Sequence, residues 1–305
     1  MRGMNKLTRD KRSQIIAMLC EGNSMSATAR LADVSFNTVS KLLIEAGQAC
    51  SEYQDRALRN LPCKRLQLDE IWAFIGAKEK NVPRDQKGLG RGDAWLWCAI
   101  DADTKLVPSW AVGDRSTDTA RAFVDDLAAR LTSRVQITTD GHRPYLQAIE
   151  GAFGADVDYA MLEKVYANPV EGQKRYSPAD CVGIKKREIA GQPDERHIST
   201  SFVERQNLTL RMSNRRYTRL TNAFSKKLAN HEFMVSLHYM HYNFCRIHKS
   251  LRTTPAQAAG VTQNLWAITD IVDVVDAWYA EQTKARRATQ EWTNERLSKK
   301  DAVNF

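Results

Sequence analysis

The stretch LQLDEIWAFIGAK, residues 66–78, decides the fold class that the sequence predicts. It is apolar and rich in residues that favour β-strands, so it predicts a strand. Two acids, Asp69 and Glu70, interrupt the apolar run. Burying a lone carboxylate is very costly, so we expect Asp69 to face a polar cleft or a cation.

The segments after this strand alternate in a way that predicts a mixed sheet. We expect two more strands joined by a turn, then a helix, a strand, a short helix and a fifth strand. These segments are residues 94–104, 106–114, 116–131, 135–140, 143–153 and 156–162. The order is typical of an α/β fold that starts with antiparallel strands. Residues 163–197 are rich in Gly, Pro and charge and predict an inserted loop region.

The N-terminal part predicts a helix-turn-helix. Residues 8–46 contain three short apolar-periodic segments, the third of which begins after Ser35 and is expected to stop at Gly47. In a helix-turn-helix the last helix meets DNA. The side chains it would offer are Asn37, Thr38, Ser40 and Lys41. A plain three-helix bundle for protein contacts is the alternative.

These patterns divide the chain into four predicted parts. They are a helix-turn-helix domain (1–47), a linker with a helix and a loop (48–64), a mixed α/β domain that contains the 163–197 insertion (65–250) and a C-terminal helical tail (251–305). We expect helix again from 199 to about 245, and one or two amphipathic helices over 267–300. Those last helices offer a surface for a second copy of the chain.

Composition and charge favour a nucleic-acid partner inside the cell. Hydrophobic residues make up 43% of the chain and charged residues 27%, and the net charge is +9. A basic balance favours a polyanion, with nucleic acid first. The six cysteines form no CxxC pair, and neither a signal peptide nor a membrane-length apolar run is visible. We therefore predict a cytoplasmic protein with no membrane partner.

Three acids could form a metal site. Asp69 lies in a strand, Asp140 ends the strand ITTD, and Glu204 begins a helix. Functional groups of open α/β sheets lie at such strand ends. Three convergent carboxylates can hold two Mg²⁺ ions, which clamp the attacking and leaving oxygens of a phosphodiester. Taken singly, each acid is as well explained by a surface position, a turn, or an ion pair with a neighbouring arginine.

The surroundings of Glu204 favour phosphate binding. Residues 200–255 contain ten Lys or Arg and two acids. Arg211 follows Glu204 by seven residues, which is two helical turns, so both project from one face. Arginine binds phosphate oxygens in pairs, and Arg215 and Arg216 are further candidates. A solvated basic helix is the alternative.

Other site types have weaker support in the sequence. His231 is a candidate helper at the active site. His238 and His241 are three residues apart, but no further nitrogen or sulfur ligand for zinc is evident. No P-loop, GxGxxG, GxSxG or HExxH motif occurs, which argues against nucleotide hydrolases, dehydrogenases, serine hydrolases and zinc proteases.

Three blocks carry a family resemblance, and a fourth supports it. The blocks are LQLDEIWAFIGAK (66–78), TTDGHRPYL (138–146), SFVERQNLTLRMSNRRYTRLTNAFSKKLANHEF (201–233) and HYNFCRIHKSLRTTPAQAAG (241–260). In this order they resemble DDE transposases of bacterial insertion sequences. The most similar group is the one named for the first-numbered insertion sequence of enterobacteria. Members of that group usually carry an N-terminal zinc-binding element, and no cysteine cluster for one occurs here.

The resemblance implies an RNase H-like catalytic fold with Asp69, Asp140 and Glu204 as the metal triad and Arg211 as the basic residue after the last acid. It implies Mg²⁺, or Mn²⁺, as the cofactor, and DNA as the partner, both terminal inverted repeats and target. Cutting two element ends together needs at least a dimer. The expected location is the bacterial cytoplasm, at the nucleoid. Two alternatives stay open: an RNase H-like nuclease or resolvase without strand transfer, and a helix-turn-helix regulator with an inactive catalytic domain.

Overall fold

The computed structural model describes residues 7–167 and 181–301. Its described strands form one six-stranded mixed sheet in the order β3-β2-β1-β4-β5-β6. The strands are β1 (Arg65–Ile75), β2 (Gly92–Asp101), β3 (Trp110–Gly113), β4 (Val135–Thr139), β5 (Val157–Tyr166) and β6 (Cys181–Ala190). The first three are antiparallel neighbours, whereas β4 is parallel to β1 and β5 is parallel to β4.

Helices cover both faces of this sheet. The crossover helices α4 (Thr117–Ala128) and α5 (Pro144–Phe153) join β3 to β4 and β4 to β5, as expected for parallel strands. Their face of the sheet buries Trp97, Phe123 and Tyr145. The other face packs on α6 (Ser201–Ser213) and α7 (Leu228–Met240) through a second apolar cluster. Three antiparallel strands, two parallel crossovers and this strand order make an RNase H-like sheet, so the predicted fold class is confirmed.

The chain ends pack on this unit as helices. They are α1 (Arg9–Cys20), α2 (Met25–Leu31), α3 (Phe36–Ala57), the short α8 (Pro255–Ala258) and α9 (Ile268–Asp301). Arg12 donates to both carboxylate oxygens of Asp276 at 2.8 Å, which ties α1 to α9. Among the described helices, none combines the length and the apolar character that crossing a membrane needs.

The predicted end of the third helix is wrong. α3 continues through Gly47 to Ala57, so the predicted linker helix is its second half. A Cβ on Gly47 would lie 2.3 Å from the Cβ of Phe233 and 2.6 Å from its Cα, both in α7. The glycine therefore allows two helices to approach closely, a role that sequence alone does not separate from a helix stop.

Other boundaries also differ from the sequence prediction. Residues 181–190, predicted as loop, form β6, which pairs antiparallel with β5. Residues 168–180 of the predicted insertion lie outside the described residues, as do 1–6 and 302–305 of the predicted terminal parts. The predicted helical region 199–245 is interrupted between α6 and α7, and the predicted strand 106–114 shortens to β3. For residues 267–300, where one or two helices were expected, the structure has one, α9.

Candidate active site

Two of the three predicted acids meet because their strands are neighbours. β1 and β4 run parallel, and their register pairs Leu68 with Thr139. The next residue on each strand is therefore the predicted acid, Asp69 on β1 and Asp140 just past β4. β4 ends at Thr139, while β1 continues to Ile75. Among the described residues, Asp69 therefore has no strand neighbour on the β4 side, and a cleft forms there.

Helix α6 brings the third acid to the same place. Its first turn has no local side-chain cap; instead, Gln67 Oε1 of β1 accepts hydrogen bonds from the amides of Phe202 at 2.8 Å and Val203 at 3.2 Å. This buried glutamine fixes the start of α6 over β1. Glu204, in that first turn, lines the same cavity as Asp69 and Asp140.

A cavity of about 640 Å³ joins the three acids. Its lining comes from β1, from the loops after β3 and β4, from β5 and from the start of α6. The lining residues are Asp69, Arg115, Asp140, Gly141, His142, Leu162, Glu163, Lys164, Tyr166, Thr200 and Glu204.

Asp69 is held by a residue to which the sequence prediction gave no role. Asn207 donates from Nδ2 to Asp69 Oδ2 at 2.8 Å, while the amide of Glu70 donates to Oδ1 at 2.8 Å. Asn207 is 9% exposed and lies one helical turn after Glu204. The sequence signal for this role was the three-residue spacing of Glu204 and Asn207, which places both side chains on one side of a helix.

Glu70 is a fourth acid that the prediction did not assign. Ligand oxygens of Asp69, Glu70 and Asp140 all lie within 4.8 Å of one another, the only such metal-capable group found among the described residues. The Glu70 side chain is 1% exposed and pairs with Arg115, 3.1 Å away. Its Oε1 is buried and makes no hydrogen bond of good geometry within the described part of the chain, although the Tyr145 hydroxyl is near enough to lower the pKa of Glu70.

The crowded acids carry perturbed pKa values. Burial raises the pKa of Asp69 to about 7, and the charges of Asp140 and Glu70 add to the effect. Burial, followed by the charge of Asp140, also raises the pKa of Glu70 to about 7. Ionising both groups is unfavourable without a cation nearby.

The donor set fits a hard divalent cation. The candidate ligands are all carboxylate oxygens, which Mg²⁺ and Mn²⁺ prefer. A cation at this position would offset the burial and the mutual repulsion that raise the pKa values of Asp69 and Glu70. Among the described residues that line the cavity, His142 is the only one with an imidazole nitrogen, and none offers a cysteine sulfur.

Glu204 does form an ion pair, but with a partner that the sequence did not indicate. Lys164 Nζ of β5 lies 2.5 Å from both carboxylate oxygens of Glu204, and Thr200 Oγ1 donates to Oε1 at 2.6 Å. Burial lowers the pKa of Lys164, but the hydrogen bond and charge of Glu204 outweigh burial, so the pKa lies above its ordinary value. The expected alternative partners were Arg205 and Arg211.

The predicted phosphate-binding arginines are spread over different environments. Arg211 and Arg215 are partly exposed, and burial together with the charge of Arg219 lowers the pKa of Arg211. Arg216 is enclosed: it donates to Ser225 Oγ at 2.6 Å, and burial lowers its pKa to about 10. None of the three belongs to the described lining of the acid cavity.

His231 is not brought to the cavity. It is 1% exposed, and its ring nitrogens lie 3.0 Å from Ser225 Oγ and 2.7 Å from the Tyr217 hydroxyl. Burial lowers its pKa to about 3. The contacts join α7 to the segment after α6, which is a structural role.

The residues predicted to read DNA lie at the start of α3. Asn37 and Lys41 are exposed, and Thr38 and Ser40 are half-buried. Ser35 caps the helix by accepting from the amide of Thr38 at 3.0 Å. Four residues, 32–35, connect α2 to α3, and Asp33 adopts a φ of 51° in that turn.

A comparison with known proteins points to mobile DNA. No family model matches the chain. The insertion element iso-IS1n protein InsB of Shigella dysenteriae is 26% identical over 171 residues, which are 55% of this chain and 88% of that protein. The chain resembles a protein of a bacterial insertion element. This relative confirms the resemblance that the sequence motifs indicate.

Solved structures also align with the chain. A cryo-EM structure of the piggyBac transposase synaptic complex with hairpin DNA aligns at a TM-score of 0.40 and 11% identity, over 94% of this chain and 74% of that one. The Mos1 transposase paired-end complex with the left transposon end aligns at a TM-score of 0.20 and 14% identity, over 50% and 59%. Both TM-scores are below 0.5, and the fold assignment rests on the sheet order instead.

Proposed function

We propose that the chain is a transposase that binds the terminal inverted repeats of an insertion sequence and catalyses metal-dependent cleavage and transfer of DNA strands. The observation that carries the proposal is the meeting of Asp69 and Asp140 at one sheet edge, with Glu204 lining the same cavity. The insertion-element relative supports it. Mg²⁺ is the proposed cofactor, with Mn²⁺ as a substitute.

In this proposal the acids bind the cations, and neighbouring residues hold the acids. Asp69 and Asp140 bind one ion or both, and Glu204 binds the second. Two bound ions supply Lewis-acid stabilisation of the attacking and leaving oxygens. Asn207 keeps one Asp69 oxygen aligned, and the His142 amide donates to Asp140 Oδ1 at 2.9 Å. Holding the ligands before substrate arrives lowers the cost of reaching the reactive geometry.

The chemistry needs two displacements at phosphorus. Water attacks a phosphodiester at the element end, and the broken bond leaves a 3′-OH. That 3′-OH then attacks a target phosphodiester, so one phosphodiester bond forms as another breaks, and no outside energy source is required. Arg211 and Arg215 would steady the DNA phosphates beside the cavity.

The remaining parts of the chain would bring in the DNA. Asn37, Thr38, Ser40 and Lys41 at the exposed start of α3 would contact the terminal repeat. Pairing two element ends requires at least two chains, and the exposed part of α9 is the proposed contact. We place this activity in the bacterial cytoplasm, at the nucleoid.

Three substitutions test the site. Asp69→Asn, Asp140→Asn and Glu204→Gln should each reduce Mg²⁺-dependent cleavage of a duplex with the element end by about 10³-fold or more, since metal stabilisation is worth several kcal/mol. Binding of the same duplex should be retained. Glu150→Gln, which removes an exposed carboxylate on α5, is the matched control and should cleave normally.

Transfer of a pre-cut end separates this function from that of a nuclease. The wild-type protein should join a duplex with a free 3′-OH to plasmid DNA, and a resolvase would not. Full cleavage by the three variants would refute the assigned site, and repeat binding without any cleavage by wild type would favour a regulator.

A further inference from the structure

Glu204 differs from the other acids in having a lysine, Lys164, as its partner. The acids that cluster within 4.8 Å are Asp69, Glu70 and Asp140, and Glu204 is not among them. Both of its oxygens face the Lys164 ammonium at 2.5 Å. A cation that binds to Glu204 while the ammonium is in place would be repelled by its positive charge, so binding is weakened until the lysine moves away.

The backbone of Lys164 is fixed in the sheet, whereas its side chain is partly exposed to solvent. Lys164 lies on β5, which is hydrogen-bonded to β4 on one side and to β6 on the other. Its side chain is 29% exposed and that of Glu204 is 41% exposed. Ion pairs this accessible to water contribute modestly to stability, so another anion can replace the carboxylate.

The cavity supplies room for the exchange. Lys164 and Glu204 line the same 640 Å³ space that opens beside Asp69. A DNA strand entering this space carries phosphates, which an ammonium on a flexible stem binds well. Thr200 would remain as a partner of Glu204 after the lysine moves, because its hydroxyl bonds Oε1 independently.

We propose that Lys164 is a DNA-responsive latch on Glu204. Its ammonium pairs with Glu204 in the free protein and moves to a backbone phosphate when DNA enters, which frees Glu204 to join Asp69 and Asp140. The latch rests on the proposed function, because it assumes that the cavity receives DNA and a divalent cation. It makes the complete metal site, and hence cutting, conditional on bound DNA.

Counting bound Mn²⁺ tests the latch without measuring activity. Free Mn²⁺ is followed by electron paramagnetic resonance during titration of the full chain, with and without a duplex that ends as an already cut element end. For wild type, DNA should tighten the weaker Mn²⁺ site by about tenfold or more. Lys164→Met, which keeps the stem and removes the charge, should show the tightened site without DNA.

Two variants control for charge and position. Lys164→Arg retains a cation and should keep the dependence on DNA. Lys185→Met removes an exposed lysine from the neighbouring strand β6 and should behave as wild type. Thermal unfolding of each variant checks that it folds. If Lys164→Met does not fold, Lys164→Gln takes its place, and the Mn²⁺ bound by the duplex alone is subtracted from every titration that contains DNA.

The possible outcomes distinguish a failure of the latch proposal from a failure of the proposed transposase function. Equal Mn²⁺ affinity for wild type with and without DNA, or for wild type and Lys164→Met without DNA, overturns the latch. If cleavage still requires Asp69, Asp140 and Glu204 in that case, the proposed function stands. If those acids are dispensable for cleavage, the proposed function fails whatever the lysine does.

Discussion

Asp69 occupies a position where an ionised carboxylate is unfavourable in the metal-free protein. Burial and the nearby charges of Asp140 and Glu70 raise its pKa to about 7, against about 3.9 for an unperturbed aspartate. Between these two pKa values the folded state binds more protons than the unfolded state. Stability from this group therefore falls as pH rises from about 4 to 7. The site thus carries a cost that a bound cation offsets.

Asp69→Asn should stabilise the metal-free protein more at pH 8 than at pH 5. The neutral amide removes the cost of ionisation, and the gain at pH 8 should exceed that at pH 5 by roughly 1–3 kcal/mol. The measurement is the melting temperature of both proteins in EDTA across this range. Buried His231 and His238 titrate in both proteins, so their effects cancel in the difference. A difference that does not change with pH would contradict the raised pKa.

Asn207 should behave as a positioning residue for Asp69. Asn207→Ala removes the 2.8 Å hydrogen bond that aligns one carboxylate oxygen, without removing any acid. Cleavage should fall about 10–100-fold, as for other residues that support metal ligands. Asn207→Asp is a useful comparison, since it adds a second negative charge and cannot donate when ionised. DNA binding measured alongside should not change, and a loss of binding would point to a DNA contact instead.

At the level of elements, the crossing of α3 and α7 depends on one glycine. Gly47→Ala places a Cβ 2.3 Å from the Cβ of Phe233, so one helix has to shift. Overpacking of this kind costs about 1–3 kcal/mol, more than the gain in helix propensity. Gly151→Ala in α5 is the matched control, since its added Cβ meets nothing within 4 Å. Urea unfolding should show a loss for the first variant and a gain of roughly 0.5–1 kcal/mol for the second.

The same glycine shows what sequence can and cannot predict here. Strands β1 to β5 and helices α4 and α5 were predictable because apolar periodicity and caps such as Ser116 are local signals. Their order allowed Asp69 and Asp140 to be neighbours, and the pairing of β1 with β4 is what brings them together. Gly47 was misread because a helix stop and a close crossing use the same residue. The distinction lies in Phe233, which is distant in sequence.

Long-range pairing explains the other errors at the site. The partner of Glu204 is Lys164, 40 residues earlier and on another element, while the arginines nearest in sequence face elsewhere. Arg216 was a reasonable phosphate ligand by composition, yet packing against Ser225 and Met25 encloses it. β6 lacks an apolar alternation because much of it is exposed at the sheet edge. None of these contacts can be predicted from the residues next to each position in the sequence.

For the whole molecule, one apolar core joins parts that the sequence divides. The cluster that fills the α4–α5 face continues through Leu43 and Ala46 of α3 to Ile271 and Val272 of α9. Ion pairs from Arg9 and Arg12 to Asp273 and Asp276 add to this contact. The proposed DNA-reading residues are therefore at the start of α3, and the same helix packs on α7 through Gly47. Its position relative to the acids is set by packing, not by a linker.

Charge is also distributed unevenly over the whole molecule, and this predicts the salt dependence of DNA binding. The segment between α6 and α7 carries exposed Arg219, Lys226 and Lys227, and its Ser225 pairs with the end of β1 beyond Asp69. The slope of the logarithm of the DNA association constant against the logarithm of salt concentration is negative. Replacing these three residues with alanine should reduce its magnitude by about 1–3, or roughly 0.9 per lost phosphate contact.

The matched control for this slope is Arg134→Ala. Arg134 precedes β4, at the end opposite Asp140 and roughly 20 Å away at about 3.3 Å per residue. It is already paired with Asp158 at 2.8 Å, so its charge is compensated within the protein. The slope for this variant should match wild type in titrations of a fluorescent duplex from 50 to about 200 mM salt. A fall in slope for Arg134→Ala as large as the fall per residue replaced in the triple variant would mean that DNA senses only net charge, and that the segment beside the acid cavity is not its path.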